Sequence, residues 1–258
     1  MGVYTIAGGK GGVGKSTTTA SLGVALHEAG YDVALVDADL ALPNLAEVLG
    51  EANESGIHSV LAGEAAIDDV LRAVEDGPDL VGGVQTIEHF EQADPANLRA
   101  VIDPLDDEYD VVLVDTGAGL SHEALVATGL ADGTVLVTTP AEESVDNVAK
   151  TAEFVDHAEA TILGAVVTRT TADTDLGDIA ERLGVPLLGA VPEDAAVDVA
   201  PATSGPAGDA YRSLASTLAT CYDGCEDGEQ RVIDAPASVA IDVPGRPAVT
   251  GSESISAD

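Results

Sequence analysis

A glycine-rich segment with two lysines, Gly-Lys-Gly-Gly-Val-Gly-Lys-Ser at residues 9–16, follows an apolar run at residues 3–7. Glycines let consecutive backbone N–H groups turn toward an anion, a lysine can reach the terminal phosphates of a nucleotide, and a serine hydroxyl can ligate Mg²⁺. We interpret the segment as a phosphate-binding loop. The predicted nucleotide contacts are Gly11, Gly12, Val13, Gly14, Lys15, Ser16 and Thr17.

Lysine usage strengthens this interpretation. The chain has only three lysines, and two of them, Lys10 and Lys15, lie in the loop, whereas the third is Lys150. The general phosphate-loop pattern requires the lysine at Lys15 but not the one at Lys10. A sequence with so few lysines has retained an additional one beside the predicted phosphates, which points to a function for Lys10.

Aspartates end two other apolar runs. Asp37 and Asp39 close the second run, and strand alternation places them on the same side of a strand. Asp115 ends the run at residues 111–115 and is followed by Thr-Gly-Ala-Gly. Phosphate-loop NTPases present their magnesium-organising aspartate at such a strand end. We predict that Asp39 and Asp115 lie near Mg²⁺ and the water that attacks the nucleotide.

Apolar runs and helical patterns alternate along the first 220 residues. This alternation predicts one α/β domain, a single doubly wound and mostly parallel sheet with helices on both faces, as in a P-loop NTPase. The predicted strands are residues 3–7, 33–37, 111–115, 134–138, 162–168 and 187–191, and the predicted helices are 16–27, 96–105, 144–157, 176–183 and 206–220.

The amino-acid composition indicates in which environment the protein works and which partners it is not expected to bind. The formal net charge is −36, with 46 acidic residues against ten lysines and arginines spread along the chain. We expect adaptation to high salt, because molar salt shortens the Debye length to about 3 Å and screens self-repulsion. Direct binding to DNA or to anionic lipid is not expected for such a surface. The first predicted strand begins near Met1, so we expect a cytoplasmic protein without a signal peptide.

The last part of the chain differs in composition. Residues 1–222 are the predicted phosphate-loop NTPase domain, and residues 223–258 are rich in Gly, Pro, Ser, Ala and acidic residues, which predicts a disordered acidic tail. The two cysteines, Cys221 and Cys225, lie at this boundary. Two thiols do not form a disulfide framework, and we expect them to be reduced and structurally minor.

Residues 10–17, Lys-Gly-Gly-Val-Gly-Lys-Ser-Thr, resemble the deviant Walker A motif of the MinD/ParA superfamily of ATPases. Residues 37–45 resemble the first switch of MinD-type members, and residues 115–121 resemble the second. Shorter similarities occur at residues 138–146, 167–169 and 191–194, so that the resemblance covers roughly residues 1–220. The MinD branch fits better than the DNA-partitioning ParA branch.

The resemblance implies a slow ATPase that uses ATP/ADP and Mg²⁺ and forms an ATP-dependent homodimer. Lys10, Lys15 and Asp39 would be catalytic, with Lys10 reaching the partner's phosphates and Asp39 orienting the water. Ser16, Asp39 and Asp115 would organise Mg²⁺, Ser16 as a direct ligand and Asp115 through one of the ion's other ligands. The residues implied at the adenine are Thr168, Arg169, Pro192 and Glu193.

The family also suggests a cellular role, the positioning of a division, motility or chemosensory assembly by a protein recruited to poles or membrane through a partner. The tail lacks the basic amphipathic helix by which well-studied MinD proteins bind membranes, so we do not expect autonomous membrane binding. Gly117 stands where the second switch often has proline.

Two other functions remain open. An iron–sulfur carrier ATPase would use Cys221 and Cys225, although three residues separate them where that family has two. A non-hydrolysing ATP-binding scaffold is the other alternative. The sequence identifies neither the cargo nor an activating partner.

Overall fold

The computed structural model describes residues 2–51, 56–84, 93–119, 121–194 and 200–223. Seven strands in these ranges form one sheet, and each pairing between neighbouring strands is parallel. The strands are β1 (Gly2–Ala7), β2 (Val33–Ala38), β3 (Asp79–Val81), β4 (Val111–Thr116), β5 (Gly133–Thr138), β6 (Ile162–Thr170) and β7 (Leu187–Pro192).

The strand order is β3-β2-β4-β1-β5-β6-β7, which puts β1 in the centre between β4 and β5. The chain therefore winds outward in opposite directions on the two sides of β1. Parallel sheets bind ligands outside the carboxyl ends of the strands at such a reversal. Asp115 of β4 is level with both Ile6 of β1 and Asp37 of β2, so the loops after these three strands meet at one edge of the sheet.

Eight α-helices lie in the described ranges, and two short 3₁₀ turns occupy Ile67–Asp69 and Pro95–Leu98. The helices are α1 (Lys15–Glu28), α2 (Leu45–Leu49), α3 (Ile57–Leu61), α4 (Arg99–Glu108), α5 (His122–Leu130), α6 (Glu142–His157), α7 (Leu176–Leu183) and α8 (Gly205–Asp223). No helix within the described ranges is long and apolar enough to cross a membrane.

Both faces of the sheet are buried. On one face α1 and α8 pack against side chains such as Leu35 and Leu113, and on the other face α3 and α4 pack against Val36 and Val112. Helices α6 and α7 cover the β5–β6 part of that second face. Burial on both sides explains why these strands are continuous apolar runs rather than alternating ones.

The doubly wound α/β fold and all six predicted strands are confirmed. Strand β3 was not predicted because it has only three residues and begins with Asp79. Helix α5 was not predicted either, because it buries small residues such as Ala124 and Ala127 instead of a large apolar stripe. The predicted helix at residues 96–105 is a 3₁₀ turn that continues into α4. Most of the predicted tail, residues 224–258, lies outside the described residues.

Candidate functional site

The loop between β1 and α1 is shaped by its glycines. Gly12 and Gly14 have φ angles of 75° and 93°, which residues with a Cβ rarely adopt. Gly14 is the N-cap of α1, and neither a capping side chain nor an acidic first-turn residue occupies that helix end. The first N–H groups of a helix lack partners within the helix, so this end is suited to bind an anion.

Close packing imposes a second constraint on the loop. A Cβ on Gly9 would overlap the backbone of Asn147 in α6, and one on Gly8 would lie 2.9 Å from the carbonyl oxygen of Val137. The start of the loop is therefore pressed between β5 and α6. It has little room to move toward either element.

Lys15 begins α1 and is buried, with 7% of its surface exposed. One turn later, the hydroxyl of Thr19 lies 3.1 Å from the carbonyl oxygen of Lys15 and 3.2 Å from Oδ1 of Asp115. These contacts tie the first turn of α1 to the end of β4. The predicted phosphate-binding lysine and the predicted magnesium aspartate thus lie together at the carboxyl edge of the sheet.

Asp115 is a fully buried carboxylate whose second oxygen, Oδ2, accepts no hydrogen bond from the residues that the structure describes. Burial, with a smaller contribution from the nearby Asp39, raises the pKa of Asp115 to about 6, although the hydroxyls of Ser16 and Thr19 and the charge of Lys15 act in the opposite direction. An unsatisfied buried oxygen is costly unless a cation or donor reaches it. This geometry fits a Mg²⁺–nucleotide complex between the loop and Asp115.

Asp37 is also fully buried, but its carboxylate serves the backbone. Its two oxygens accept hydrogen bonds from the N–H groups of Asp39, at 3.2 Å, and Leu45, at 2.9 Å. Burial raises its pKa well above the ordinary value, and the charges of Asp115 and Asp39 add to that effect. The buried carboxylate of Asp37 therefore holds both ends of the segment of residues 39–45 in place.

Asp39 lies at the end of β2 and is partly exposed, unlike Asp37. Its Oδ1 accepts a hydrogen bond from the N–H of Leu42 at 3.0 Å. A Cβ on Gly117 would lie 3.3 Å from the same oxygen, so the loop after β4 passes directly beside it. The structure brings the two segments that resemble switch regions into contact at Asp39.

The loop after β4 is also joined to the phosphate loop. The hydroxyl of Thr116 donates to the carbonyl oxygen of Ile6 at 2.9 Å, and the N–H of Gly119 donates to the carbonyl oxygen of Gly8 at 3.0 Å. The Gly119–Gly8 bond holds the two loops side by side, and the Thr116–Ile6 bond joins the ends of the strands that carry them.

Lys10 lies on the outside of the phosphate loop. Its ammonium forms an ion pair with Glu143, in the first turn of α6, at 2.8 Å. The side chains of Lys10 and Glu143 are 47% and 72% exposed. The two lysines of one loop thus lie in opposite environments, Lys15 inside the site and Lys10 at the surface.

The residues predicted to contact adenine lie at the carboxyl ends of β6 and β7. The N–H of Glu193 donates to the carbonyl oxygen of Thr170 at 3.0 Å, which joins the two strand ends. An open cavity of about 290 Å³, lined by residues 170–177, adjoins them. Contact of Thr168, Arg169, Pro192 and Glu193 with a base stays a prediction.

Thr168 has a structural contact that the sequence did not indicate. Its buried hydroxyl lies 2.7 Å from the carbonyl oxygen of Val13 and 3.1 Å from that of Thr138. One hydroxyl proton can be donated to only one of them at a time. In either case Thr168 links β6 to the phosphate loop or to β5.

Sequence reasoning also missed two other polar residues near the site. Thr19 has a signal that could have identified it, because it lies four residues after Lys15 and so on the same face of α1. The buried His58 of α3 has none, since a lone histidine does not reveal its contacts.

The cysteine prediction is not tested. Cys225 lies outside the described residues, and Cys221 lies in the last turn of α8. In the part of the chain that the structure describes, no three His, Cys, Asp or Glu side chains are grouped so that they alone could hold a metal.

Several known proteins resemble this chain. A family model described as the CobQ/CobB/MinD/ParA nucleotide binding domain matches residues 4–207. An uncharacterized ATP-binding protein of Methanocaldococcus jannaschii is 36% identical over 205 residues, which cover 78% of each chain.

Two solved structures share the fold and align over most of both chains. The cell division ATPase MinD of Pyrococcus furiosus is 33% identical with a TM-score of 0.79, covering 85% of this chain and 98% of that one. The septum site-determining protein MinD of Pyrococcus horikoshii, solved in complex with Mg-ADP, is 31% identical with a TM-score of 0.79, covering 85% and 96%.

Proposed function

Because the chain belongs to the CobQ/CobB/MinD/ParA family of nucleotide-binding domains, we propose that it is a Mg²⁺-dependent ATPase that acts as a nucleotide-controlled homodimer. The ATP dimer would position or recruit another cellular assembly. The observation that carries the proposal is the contrast between Lys15, buried against Asp115, and Lys10, exposed on the same loop.

The inner part of the site supports binding of one nucleotide by one chain. Lys15 and the N–H groups at the start of α1 would hold the phosphates, as expected for a helix N-terminus without acidic residues. Ser16 would be the direct magnesium ligand, and Asp115 would hold the ion through one of its other ligands. When bound, Mg²⁺ would neutralise the charge that develops on the phosphates.

The outer part of the site supports a role for a second copy. Lys10 is exposed and held by a surface carboxylate, so it is accessible to a partner's nucleotide. A cation delivered in trans stabilises charge in phosphoryl transfer, as an arginine finger does, so a lone subunit should hydrolyse ATP slowly. Asp39, at the meeting point of the two switch-like segments, would orient the attacking water.

Light scattering coupled to size-exclusion chromatography tests this proposal. The wild type and Asp39→Ala would be compared in about 2 M KCl, which screens the acidic surface, with ADP and with ATP plus Mg²⁺. We expect a monomer with ADP, a dimer with ATP, and a longer-lived dimer for Asp39→Ala because hydrolysis no longer ends it. Asp156→Ala, which removes an exposed carboxylate at the far end of α6, is the control.

A molecular mass that is the same with ADP as with ATP plus Mg²⁺ would overturn the dimer proposal. If an ATP dimer forms but its lifetime is the same in Asp39→Ala as in the wild type, the non-hydrolysing scaffold is favoured. In that case Asp39→Ala should also place its cargo in cells as the wild type does. A brown chromophore after anaerobic reconstitution would favour the iron–sulfur carrier.

A further inference from the structure

His58 is a buried polar residue outside the nucleotide-facing part of the site. It belongs to the short helix α3, between β2 and β3, and only 1% of its surface is exposed. The N–H of its neighbour Ile57 donates to the carbonyl oxygen of Gly82 at 2.8 Å, which fixes α3 to the end of β3. A buried imidazole needs partners for both ring nitrogens.

Two of the ring's hydrogen bonds define its tautomer. The N–H of Val84 lies 3.3 Å from Nδ1, and a backbone N–H can only donate, so Nδ1 is the acceptor. The ring proton is then on Nε2, which lies 2.9 Å from the carbonyl oxygen of Leu40 and donates to it. His58 thus connects the loop after β3 to the residue that follows Asp39.

The same two loops are in direct contact. A Cβ on Gly83 would overlap the ring of Pro43, so the loop after β3 lies against the segment of residues 39–45. Asp37 holds this segment through the N–H groups of Asp39 and Leu45. The carboxylate of Asp37 binds N–H groups, whereas the imidazole of His58 binds a carbonyl oxygen.

We propose that His58 is a positioning residue, which sets the backbone at Leu40 so that the Asp39 carboxylate faces the reacting nucleotide. This inference rests on the proposed ATPase function and on the role of Asp39 in it. His58 need not touch the nucleotide. Its effect on catalysis follows from orientation, because small misplacements of a reacting group can cost up to about 100-fold in rate.

Two substitutions of similar polarity separate the contacts of His58. The amide nitrogen of glutamine can occupy the place of Nε2, so His58→Gln retains a donor for Leu40. The amide oxygen of asparagine can occupy the place of Nδ1, so His58→Asn retains an acceptor for Val84 and loses the bond to Leu40. We expect a kcat for His58→Asn about tenfold or more below that of His58→Gln, with nearly equal KM for ATP.

A second readout does not depend on turnover. Amide hydrogen exchange in the nucleotide-free protein should become faster at Leu42 and Leu45 in His58→Asn than in His58→Gln. Those N–H groups donate to Asp39 and Asp37, so their exchange reports the order of the segment. Exchange in β1 and β4 serves as the internal control for global loss of structure.

The outcomes distinguish this inference from the proposed function. If Asp39→Ala abolishes hydrolysis but the two His58 variants match each other in kcat and in exchange, the positioning role is wrong. Equal loss in both variants, with faster exchange throughout β1 and β4, would assign His58 a purely structural role and also overturn the inference. If Asp39→Ala hydrolyses ATP like the wild type, the proposed function itself fails.

Discussion

The inner and outer halves of the site differ in burial. We define the inner half as Lys15, Thr19 and Asp115, which are buried and which meet at the end of β4, where the Thr19 hydroxyl lies within hydrogen-bond distance of the Lys15 carbonyl oxygen and of Asp115. The outer half is Lys10, Asp39 and Glu143, which are partly or fully exposed. The inner half lies on α1 and β4, and the outer half lies on the loops after β1 and β2 and on the start of α6. Lys10 and Lys15 are only five residues apart, so the two halves differ in environment rather than in distance along the chain.

This contrast suggests a division of roles. Buried groups are fixed before a ligand arrives, so in the proposed function the inner half would bind a nucleotide without help from another chain. A surface ion pair such as Lys10–Glu143 contributes little to stability, so its lysine can be redirected at small cost. In the proposed dimer, the outer half is therefore the part on which the second copy would act.

Lys15→Ala should have the largest effect. It removes the buried cation of the inner half, and we expect ATP affinity to fall by about 100-fold or more, since charge-assisted bonds to phosphate are strong. Titration calorimetry measures this change. Lys150→Ala, which removes the only lysine outside the loop, is the control and should bind ATP like the wild type. If both variants lose the same ATP affinity, the loss comes from the change in net charge and not from the inner half.

Lys10→Ala should separate the two halves. We expect nearly normal ATP affinity, loss of the ATP-dependent dimer, and a fall in kcat of about 100-fold or more, as when a trans-acting cation is removed. Light scattering and a phosphate-release assay measure the two effects. A strong loss of ATP affinity would place Lys10 in the inner half and contradict the comparison.

Asp115→Asn should change the pH dependence of folding. The pKa of Asp115 is about 6 in the folded protein against an ordinary 3.8, so the unfolded chain loses its proton first as pH rises. Stability then falls between about pH 4 and pH 6, on the order of 3 kcal/mol in total at about 1.4 kcal/mol per pH unit. The buried Asp37 has its pKa raised too and adds to the fall.

Without nucleotide, Asp115→Asn should therefore melt at a higher temperature than the wild type at pH 7.5 and at the same temperature near pH 4. Thermal unfolding in concentrated KCl measures the difference. Asp103→Asn removes an exposed carboxylate on α4 and is the matched control. An equal rise in melting temperature for both variants would attribute the gain to net charge instead of to burial.

Thr168→Val should have the smallest effect of the four. It removes the hydroxyl beside the carbonyl oxygens of Val13 and Thr138, which costs about 1–2 kcal/mol when a buried partner is left unsatisfied. We expect the melting temperature to fall by a few degrees, roughly 2–4 °C per kcal/mol in a chain of this size. Thr168→Ser should retain the contact and restore most of the loss.

The sequence predicted the fold well, and it placed the candidate site residues at strand ends that lie at one edge of the sheet, for identifiable reasons. Continuous apolar runs indicate strands buried on both faces, and the glycines and Lys15 indicate a phosphate loop by spacing alone. Strand β3 escaped prediction because three residues give no periodicity. Helix α5 escaped because Ala124 and Ala127 are too small to mark a buried face.

The parts of the site that escaped prediction depend on residues distant in the chain. Sequence alternation put Asp37 and Asp39 side by side, but their unlike roles follow from the fold, which buries Asp37 against Asp115 and leaves Asp39 partly exposed. The contact of Thr168 with Val13 spans 155 residues, and that of Lys10 with Glu143 spans 133. Neither pair has a local signature.

By itself, the sequence determined the strands and the candidate nucleotide-binding groups, because chain-local features decide these: apolar runs, loop glycines, a lysine at a helix start and carboxylates at strand ends. Only the tertiary structure decided which of these groups are buried away from water. Burial depends on what packs against a side chain from other strands and helices, so the raised pKa of Asp115, the exposure of Lys10 and the contacts of His58 arise only when the sheet is assembled.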